Sequence, residues 1–261
     1  MVRLDAALLA WIFVGCIAAT DAPPAPADGV SAATPAIDAG PPHVTPSIPA
    51  TKTETAHDAG ADTASWARYV ITPGAHSAIV ESAASGNPMA GIVNGVVQRT
   101  YDLVFDPSAM YTITQAVEPN DQFDWNKLPG LSDCGELDLA ADGVMFGWRW
   151  RLDRTPEVLE VTAYANNARV HLTSPAPMIV LDAADLASRT PLRYRIAMDG
   201  AEYRFAISGV MRGRAIDASA TLTRRCATTS PASLPLQWAA GLYFGGTSSA
   251  PSMITARIFE L

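Results

Sequence analysis

Two shortages and one near-absence narrow this 261-residue sequence. Basic charge is short: the net charge is −8 and the pI about 4.9. A nucleic-acid binder shows a basic domain or stripe, so no nucleic-acid partner is expected. Long hydrophobic runs are also short. The apolar run at residues 6–15 is about half of the roughly 20 residues that cross a bilayer as a helix. Helical periodicity is nearly absent, which removes helix bundles and α/β folds. What is present is a 49% apolar composition, enough for a sizeable core. The charge is unevenly spread. Residues 1–64 hold two basic residues against seven acidic ones, and residues 65–261 hold 16 against 19. The second region is close to balanced.

A short apolar stretch behind Arg3 that ends in small residues reads as a secretory signal. Its end, "FVGC" at residues 13–16, resembles the bacterial lipobox. In that motif a glycine precedes the cysteine that receives diacylglycerol. Phe13 departs from the leucine usual there. The resemblance implies cleavage after Gly15, lipidation of Cys16 and membrane lipid as a partner. Several acyl chains, at about 0.8 kcal/mol per buried methylene, anchor a protein stably. Ile17 does not match the aspartate that favours inner-membrane retention, so the resemblance points to the outer membrane. The alternative is an ordinary signal peptide cut near "AAT", with Cys16 incidental.

Residues 17–63 contain eight prolines, thirteen alanines and no aromatic residue. Such a stretch cannot bury enough apolar surface to offset its ordering entropy. Residues 16–64 are therefore read as a disordered tether, about 40 Å long by coil scaling. His43 and His57 lie in it and have no companions for a metal site.

From residue 65 to 261 the texture changes. Short runs rich in Val, Ile, Tyr, Phe and Thr recur: "RYVIT", "TYDLVFD", "MYTITQ", "VMFGWRWRLD", "VLEVTAYA", "RVHLTS", "LRYRIAM", "EYRFAIS", "LYFGG" and "MITARIFEL" among them. Turn residues separate them. Many short strands with regular breaks predict an all-β domain, a single β-sandwich of jelly-roll or lectin-like type. "RYRIAMDGAEYRFAI" predicts a hairpin with an Asp-Gly type I′ turn. "LDAADLAS" (181–188) predicts one or two helical turns. A transmembrane barrel needs strands of about nine to eleven residues with a lipid-facing apolar band, and most of these runs are shorter.

With Cys16 assigned to lipid, Cys134 and Cys226 remain. An exported protein meets an oxidising compartment. The sequence leaves two readings open, a disulfide or two buried thiols, because it does not place the two Cα atoms.

Alternation along strands sorts the side chains. If the runs are neighbours, one face carries Arg149, Arg151, Glu160, Tyr164, Arg169, His171, Arg193, Arg195, Glu202 and Arg204. Arginine pairs bidentately with carboxylates and sulfates, so an acidic glycan suits this face. A solvated face with cross-strand ion pairs is the plainer reading. Tyr164, His171 and the arginines are also the residue types of jelly-roll polysaccharide lyases. There a tyrosine or histidine removes the proton beside a uronate carboxylate. Glu136 and Asp138 put two acids on one predicted strand face, the weaker case for a glycosidase. The loop "EPNDQFDWN" (118–126) clusters Glu118, Asn120, Asp121, Asp124 and Asn126. Such oxygens suit a structural calcium or simply Asx turns. No other cofactor is expected.

The stretches "NKLPGLSDC", "FGWRW" and "YFGG" are similar to a group of uncharacterised exported bacterial β-sandwich proteins of jelly-roll or concanavalin-like type. That resemblance implies a single β-sandwich on an exported protein, and it brings no activity. The reading from sequence is thus a lipid-anchored envelope protein whose sandwich binds a glycan or another surface partner. A polysaccharide lyase or hydrolase on the same fold is the alternative, and a non-catalytic interaction module the third.

Overall fold

The computed structural model describes residues 63–82, 89–226 and 236–261. The signal segment, Cys16 and almost all of the tether lie outside the described residues. Among the described residues the regular structure is mostly strand. In order, β1 is Ala67–Ile71, β2 Ile79–Ser82, β3 Gly91–Asn94 and β4 Gln98–Phe105. After a long loop come β5 Asn126–Lys127, β6 Gly130–Ser132, β7 Gly143–Arg151 and β8 Val158–Asn167. Next are β9 Val170–Thr173, β10 Ile179–Asp182, helix α1 Ala183–Ser188, β11 Leu192–Asp199 and β12 Glu202–Met211. The last three are β13 Arg214–Thr223, β14 Leu236–Ala240 and β15 Ile254–Glu260.

Two antiparallel sheets form a β-sandwich. One has seven strands in the order β13-β12-β11-β4-β15-β1-β2. The other runs β10-β8-β7-β6-β14-β3, with β5 added to β7 and β9 to β8. Period-two alternation is the cause. In β11, Leu192, Tyr194, Ile196 and Met198 are buried, and the residues between them point outward. In β7 the inward set is Val144, Phe146, Trp148 and Trp150. These inner faces meet through rings. Phe146 lies 5.1 Å from Tyr194 and 5.2 Å from Phe205, and Phe105 lies 5.5 Å from Trp148. Large rings of this kind dominate the burial that holds two sheets together.

Arg99 is a charged residue within this core. It is buried, and it points from β4 toward the other sheet. Its guanidinium donates to the carbonyls of Gly130, Ala240 and Met89 and pairs with Glu260 at 2.5 Å. A buried cation is tolerable only when satisfied in this way.

Cys134 and Cys226 form a disulfide with Cα atoms 5.2 Å apart. Of the two readings left open by the sequence, the bonded one holds. The bridge ties the loop after β6 to the chain after β13, and so one sheet to the other. Beside it Arg224 grips Asp133 with Nε at 2.6 Å and Nη2 at 2.8 Å, and the Tyr203 hydroxyl donates to the same carboxylate at 2.8 Å.

Several local expectations change. Residues 110–115 ("MYTITQ") form no strand. The Gln122 side chain takes the place of a neighbouring strand, accepting from the Ile113 N–H at 2.7 Å and donating to the Tyr111 carbonyl at 3.3 Å. "LYFGG" makes only isolated bridges, from Tyr243 to Ser77 and Lys127. The β11–β12 hairpin has Asp199 paired with Glu202, so its loop is Gly200-Ala201. Only Gly200 has positive φ there, which is the type II′ arrangement rather than I′. The helix is present as α1, opened by a capping box between Asp182 and Asp185.

Candidate functional site

The expected arginine face divides between the two sheets. β7, β8 and β9 lie in the eight-stranded sheet, and β11 and β12 in the seven-stranded one. Arg193, Arg195 and Arg204 therefore point away from Arg149, Arg151, Tyr164 and His171, on the opposite side of the sandwich. They are also engaged locally. Arg193 pairs with Asp102 at 2.8 Å, Arg195 donates to the Gln98 side chain at 2.7 Å, and Arg204 pairs with Asp199 and Glu202. Arg169 is not on a strand. With Ala168 it forms the two-residue β8–β9 turn, both with left-handed φ (66° and 49°), and it pairs with Asp138 at 3.3 Å. That turn is type I′ without glycine, and "NN" just before it is its only turn signal in the sequence.

The outer face of the eight-stranded sheet holds the remaining group. Glu160, Thr162, Tyr164 and Asn166 alternate outward from β8, and Arg149 and Arg151 from β7. Glu160 is buried and sits between the two arginines, at 2.9 Å from Arg149 and 3.0 Å from Arg151. The strip 121–127 lies across this face. Arg149 stacks on Trp125 at 3.9 Å and donates to the Phe123 carbonyl, while Arg151 lies 5.5 Å over Phe123. Burial pulls the Arg149 guanidinium below its ordinary pKa, and the Glu160 carboxylate opposes that. The glycine in "FGWRW" has a packing reason. A Cβ on Gly147 would stand 3.0 Å from the Thr162 methyl and 3.3 Å from the Trp125 ring.

Beyond the arginines a row crosses the strands: His171, Tyr164, Lys127, Tyr243 and His76. β9 pairs His171 with Asn166 and Thr173 with Tyr164, so His171 shares their face. His171 Nδ1 lies 2.9 Å from the Tyr164 hydroxyl and 2.5 Å from Asn166 Oδ1. The Asn166 amide has a fixed orientation, because its Nδ2 donates to the Leu139 carbonyl at 2.7 Å. Its Oδ1 therefore accepts from His171 Nδ1–H, which assigns that proton to Nδ1. β5 registers Lys127 against Gly147, and Lys127 Nζ comes to 5.0 Å from the centre of the Tyr164 ring. Tyr243 bridges to Lys127 from the other side, and its ring stacks 5.5 Å from His76. The His76 Nδ1–H donates to the Phe244 carbonyl at 2.8 Å. Gly245, in "YFGG", keeps this end open. A Cβ there would strike the Trp125 carbonyl and sit 2.9 Å from Lys127 Nζ.

Lys127, Tyr243 and His76 were not singled out as site residues by sequence. The lysine in "NKL" is the only one after Lys52, which was the available signal. The carboxylates expected to matter do not gather. Glu136 and Asp138 are exposed in a loop rather than on a strand, and Asp138 caps the Ala140 N–H at 2.9 Å. The pair thus lacks the shared face a glycosidase needs. In the 118–126 loop, Asp121 accepts from Thr247, from the Ser248 hydroxyl and from the Glu118 N–H. Burial disfavours its charge, but the Ser248, Glu118 and Thr247 donors outweigh that and hold its carboxyl down at about 2. Asn126 is likewise engaged, donating to the Tyr111 hydroxyl and accepting from the Gly245 N–H. Two of the five oxygen-bearing side chains named in this loop thus already face protein donors.

No protein-family model and no curated protein matches the sequence. Several solved structures are similar in part, among them two alginate lyases. The alginate lyase vAL-1 from Chlorella virus is 11% identical, with 74% of this chain and 81% of that one covered and a TM-score of 0.34. The alginate lyase from Klebsiella pneumoniae is 16% identical, with 64% and 60% covered and a TM-score of 0.36.

Proposed function

We propose that this protein acts on an acidic polysaccharide at the outer face of the eight-stranded sheet and cleaves it by β-elimination. The observation that carries the reading is the Lys127–Tyr164–His171 cluster. Eliminating a uronate linkage needs three things: a base for the proton beside the carboxylate, a cation to neutralise that carboxylate, and a proton for the departing oxygen. Tyr164 supplies an oxygen beside the exposed His171. The positive charge of the Lys127 ammonium, 5.0 Å from the centre of the ring, favours negative charge on that oxygen. The Tyr164 oxygen takes the proton from the carbon next to the carboxylate. The electron pair left on that carbon forms the new carbon–carbon double bond and expels the glycosidic oxygen. That oxygen takes its proton back from Tyr164, so the tyrosine returns to its starting state. Lys127 faces the sugar carboxylate, and Asn166 holds the His171 ring in place.

Glycan binding without cleavage is the second reading. It is favoured by Glu160, which sits between Arg149 and Arg151 and makes much of this face an ion-paired platform. The full chain incubated with a panel of polyuronates separates the two. Growth of ultraviolet absorbance from the conjugated double bond supports elimination. New reducing ends without that absorbance would mean hydrolysis and would overturn it. Binding without either product selects the second reading.

The anchoring expectations, lipidation of Cys16 and attachment to the outer membrane, stand as part of the same proposal. Mass spectrometry of the mature N-terminus tests them, and an unmodified terminus beyond Cys16 overturns them.

A further inference from the structure

The opposite face of the sandwich carries a cavity of about 480 Å³. Its lining includes Arg68 on β1, Val104 on β4, Arg257 on β15, and Asp106 and Arg189 from the flanking loops. Alternation fixes the orientation of the strand residues. Ala67, Tyr69 and Ile71 face the core, so Arg68 faces outward, and Ile254, Ala256 and Ile258 do the same for Arg257. Arg68 and Arg257 are direct partners in the β1–β15 ladder. Like charges directly opposite each other on paired strands are destabilising. Glu81 answers Arg68, and Asp106 answers Arg189 at 2.9 Å. Arg257 is different. Its Nη1 donates to the carbonyls of Thr63 and Ala64, at 3.2 and 3.3 Å. Among the described residues no carboxylate pairs with it. The ladder thus holds two opposed guanidinium groups with one counter-charge, at the wall of a cavity.

We propose that this cavity is a second glycan site, in which Arg257 and Arg68 bind the carboxylate of an acidic sugar unit. The proposal rests on the reading of the protein as acting on an acidic polysaccharide. Its volume lies in the usual range for small-ligand sites, about 300–1,000 Å³. A guanidinium fork matches a carboxylate with two parallel hydrogen bonds. Val104 gives an apolar surface for a sugar ring, and the Ser108 and Thr255 hydroxyls, 3.3 Å apart, line the same cavity. The two sites lie on opposite outer faces with the core between them. A polymer segment held here leaves the Tyr164 row open to another segment.

Calorimetric titration of the full chain with a uronate trisaccharide tests this, alongside inorganic phosphate. Two sites are expected in the wild type. Arg257→Gln should weaken one by about ten-fold or more, the effect of losing a charge-assisted hydrogen bond, and leave the rate of double-bond formation at saturating substrate unchanged. Arg68→Gln, a half-buried change at the same wall, should weaken the same site and guards against misfolding of the first variant. Lys127→Gln should weaken the other site. Unchanged binding in both arginine variants overturns the proposal while leaving the Tyr164 reading intact. Binding at the arginine site alone, with no site sensitive to Lys127→Gln, overturns that reading instead. Phosphate binding as tightly as the trisaccharide, and lost in Arg257→Gln, would make this a free oxyanion site and overturn the sugar assignment.

Discussion

The outer faces of the two sheets draw on similar polar residue types and arrange them differently. On the seven-stranded sheet, across β4, β11 and β12, each arginine meets an acid or amide one strand or one turn away. Arg193 meets Asp102, Arg195 meets Gln98, and Arg204 meets Asp199 and Glu202. On the eight-stranded sheet the arginines converge on one buried glutamate, and a loop strip lies over them. Next to that strip a tyrosine, a histidine and a lysine come together with an asparagine whose orientation is fixed. The exposed Arg204 pairs contribute little, and the largely buried Arg193–Asp102 pair is closed on itself. Here the Tyr164 hydroxyl lies 2.9 Å from His171 Nδ1, and the Lys127 ammonium lies 5.0 Å from the centre of the tyrosine ring.

The largest effect expected concerns what holds the two faces in register. Replacing Cys134 and Cys226 together by serine should cost about 4 kcal/mol of stability for a loop of this length, read by denaturant unfolding. A change below about 1 kcal/mol would mean that the Asp133–Arg224–Tyr203 network alone clamps the sheets. Lys127→Gln should lower kcat/KM on a polyuronate by roughly ten- to a hundred-fold, the range for one lost charge-assisted contact, with the melting temperature little changed. An unaffected rate would remove the lysine from the site.

The Asp121 carboxyl is held near 2, below its ordinary value, by Ser248, Glu118 and Thr247 against the effect of burial. Its stabilising contribution is present above the unfolded pKa, near 4, and is lost as pH falls from there toward 2. Asp121→Asn should flatten the acid limb of stability in that window. An unchanged limb would show that the strip 121–127 is held by other contacts. Smallest of all, Arg204→Gln should shift stability by no more than about 0.5 kcal/mol, as for an exposed pair, and leave activity unchanged.

The sandwich was legible because burial with period two is written into β7, β8, β11 and β12 as alternating letters. The Gly and Trp motifs were legible as packing, and the structure gives the reason at Gly147 and Gly245. Less could be read where long-range pairing decides. Tyr111 is buried like a strand residue, yet its own carbonyl and the Ile113 N–H bond to the Gln122 side chain. The short strands β3, β5, β6 and β14 carry too few residues to show a period. Sequence grouped the arginines onto one face because alternation gives a side within a strand and not the sheet to which the strand belongs. For the site, Tyr164 and His171 were found by their strand faces. Lys127 and Tyr243 were not, since they reach the row through a two-residue strand and an isolated bridge.

The central claim is that the Tyr164 oxygen carries the chemistry and the opposite arginine face carries none of it. The direct measurement is the initial rate of double-bond formation on one polyuronate for Tyr164→Phe and Arg195→Gln side by side, both verified as folded. The predicted result is a loss of about 10² to 10⁴ in the tyrosine variant, the range for a general acid–base group, and a wild-type rate in the arginine variant. Equal rates in the two variants would contradict the account.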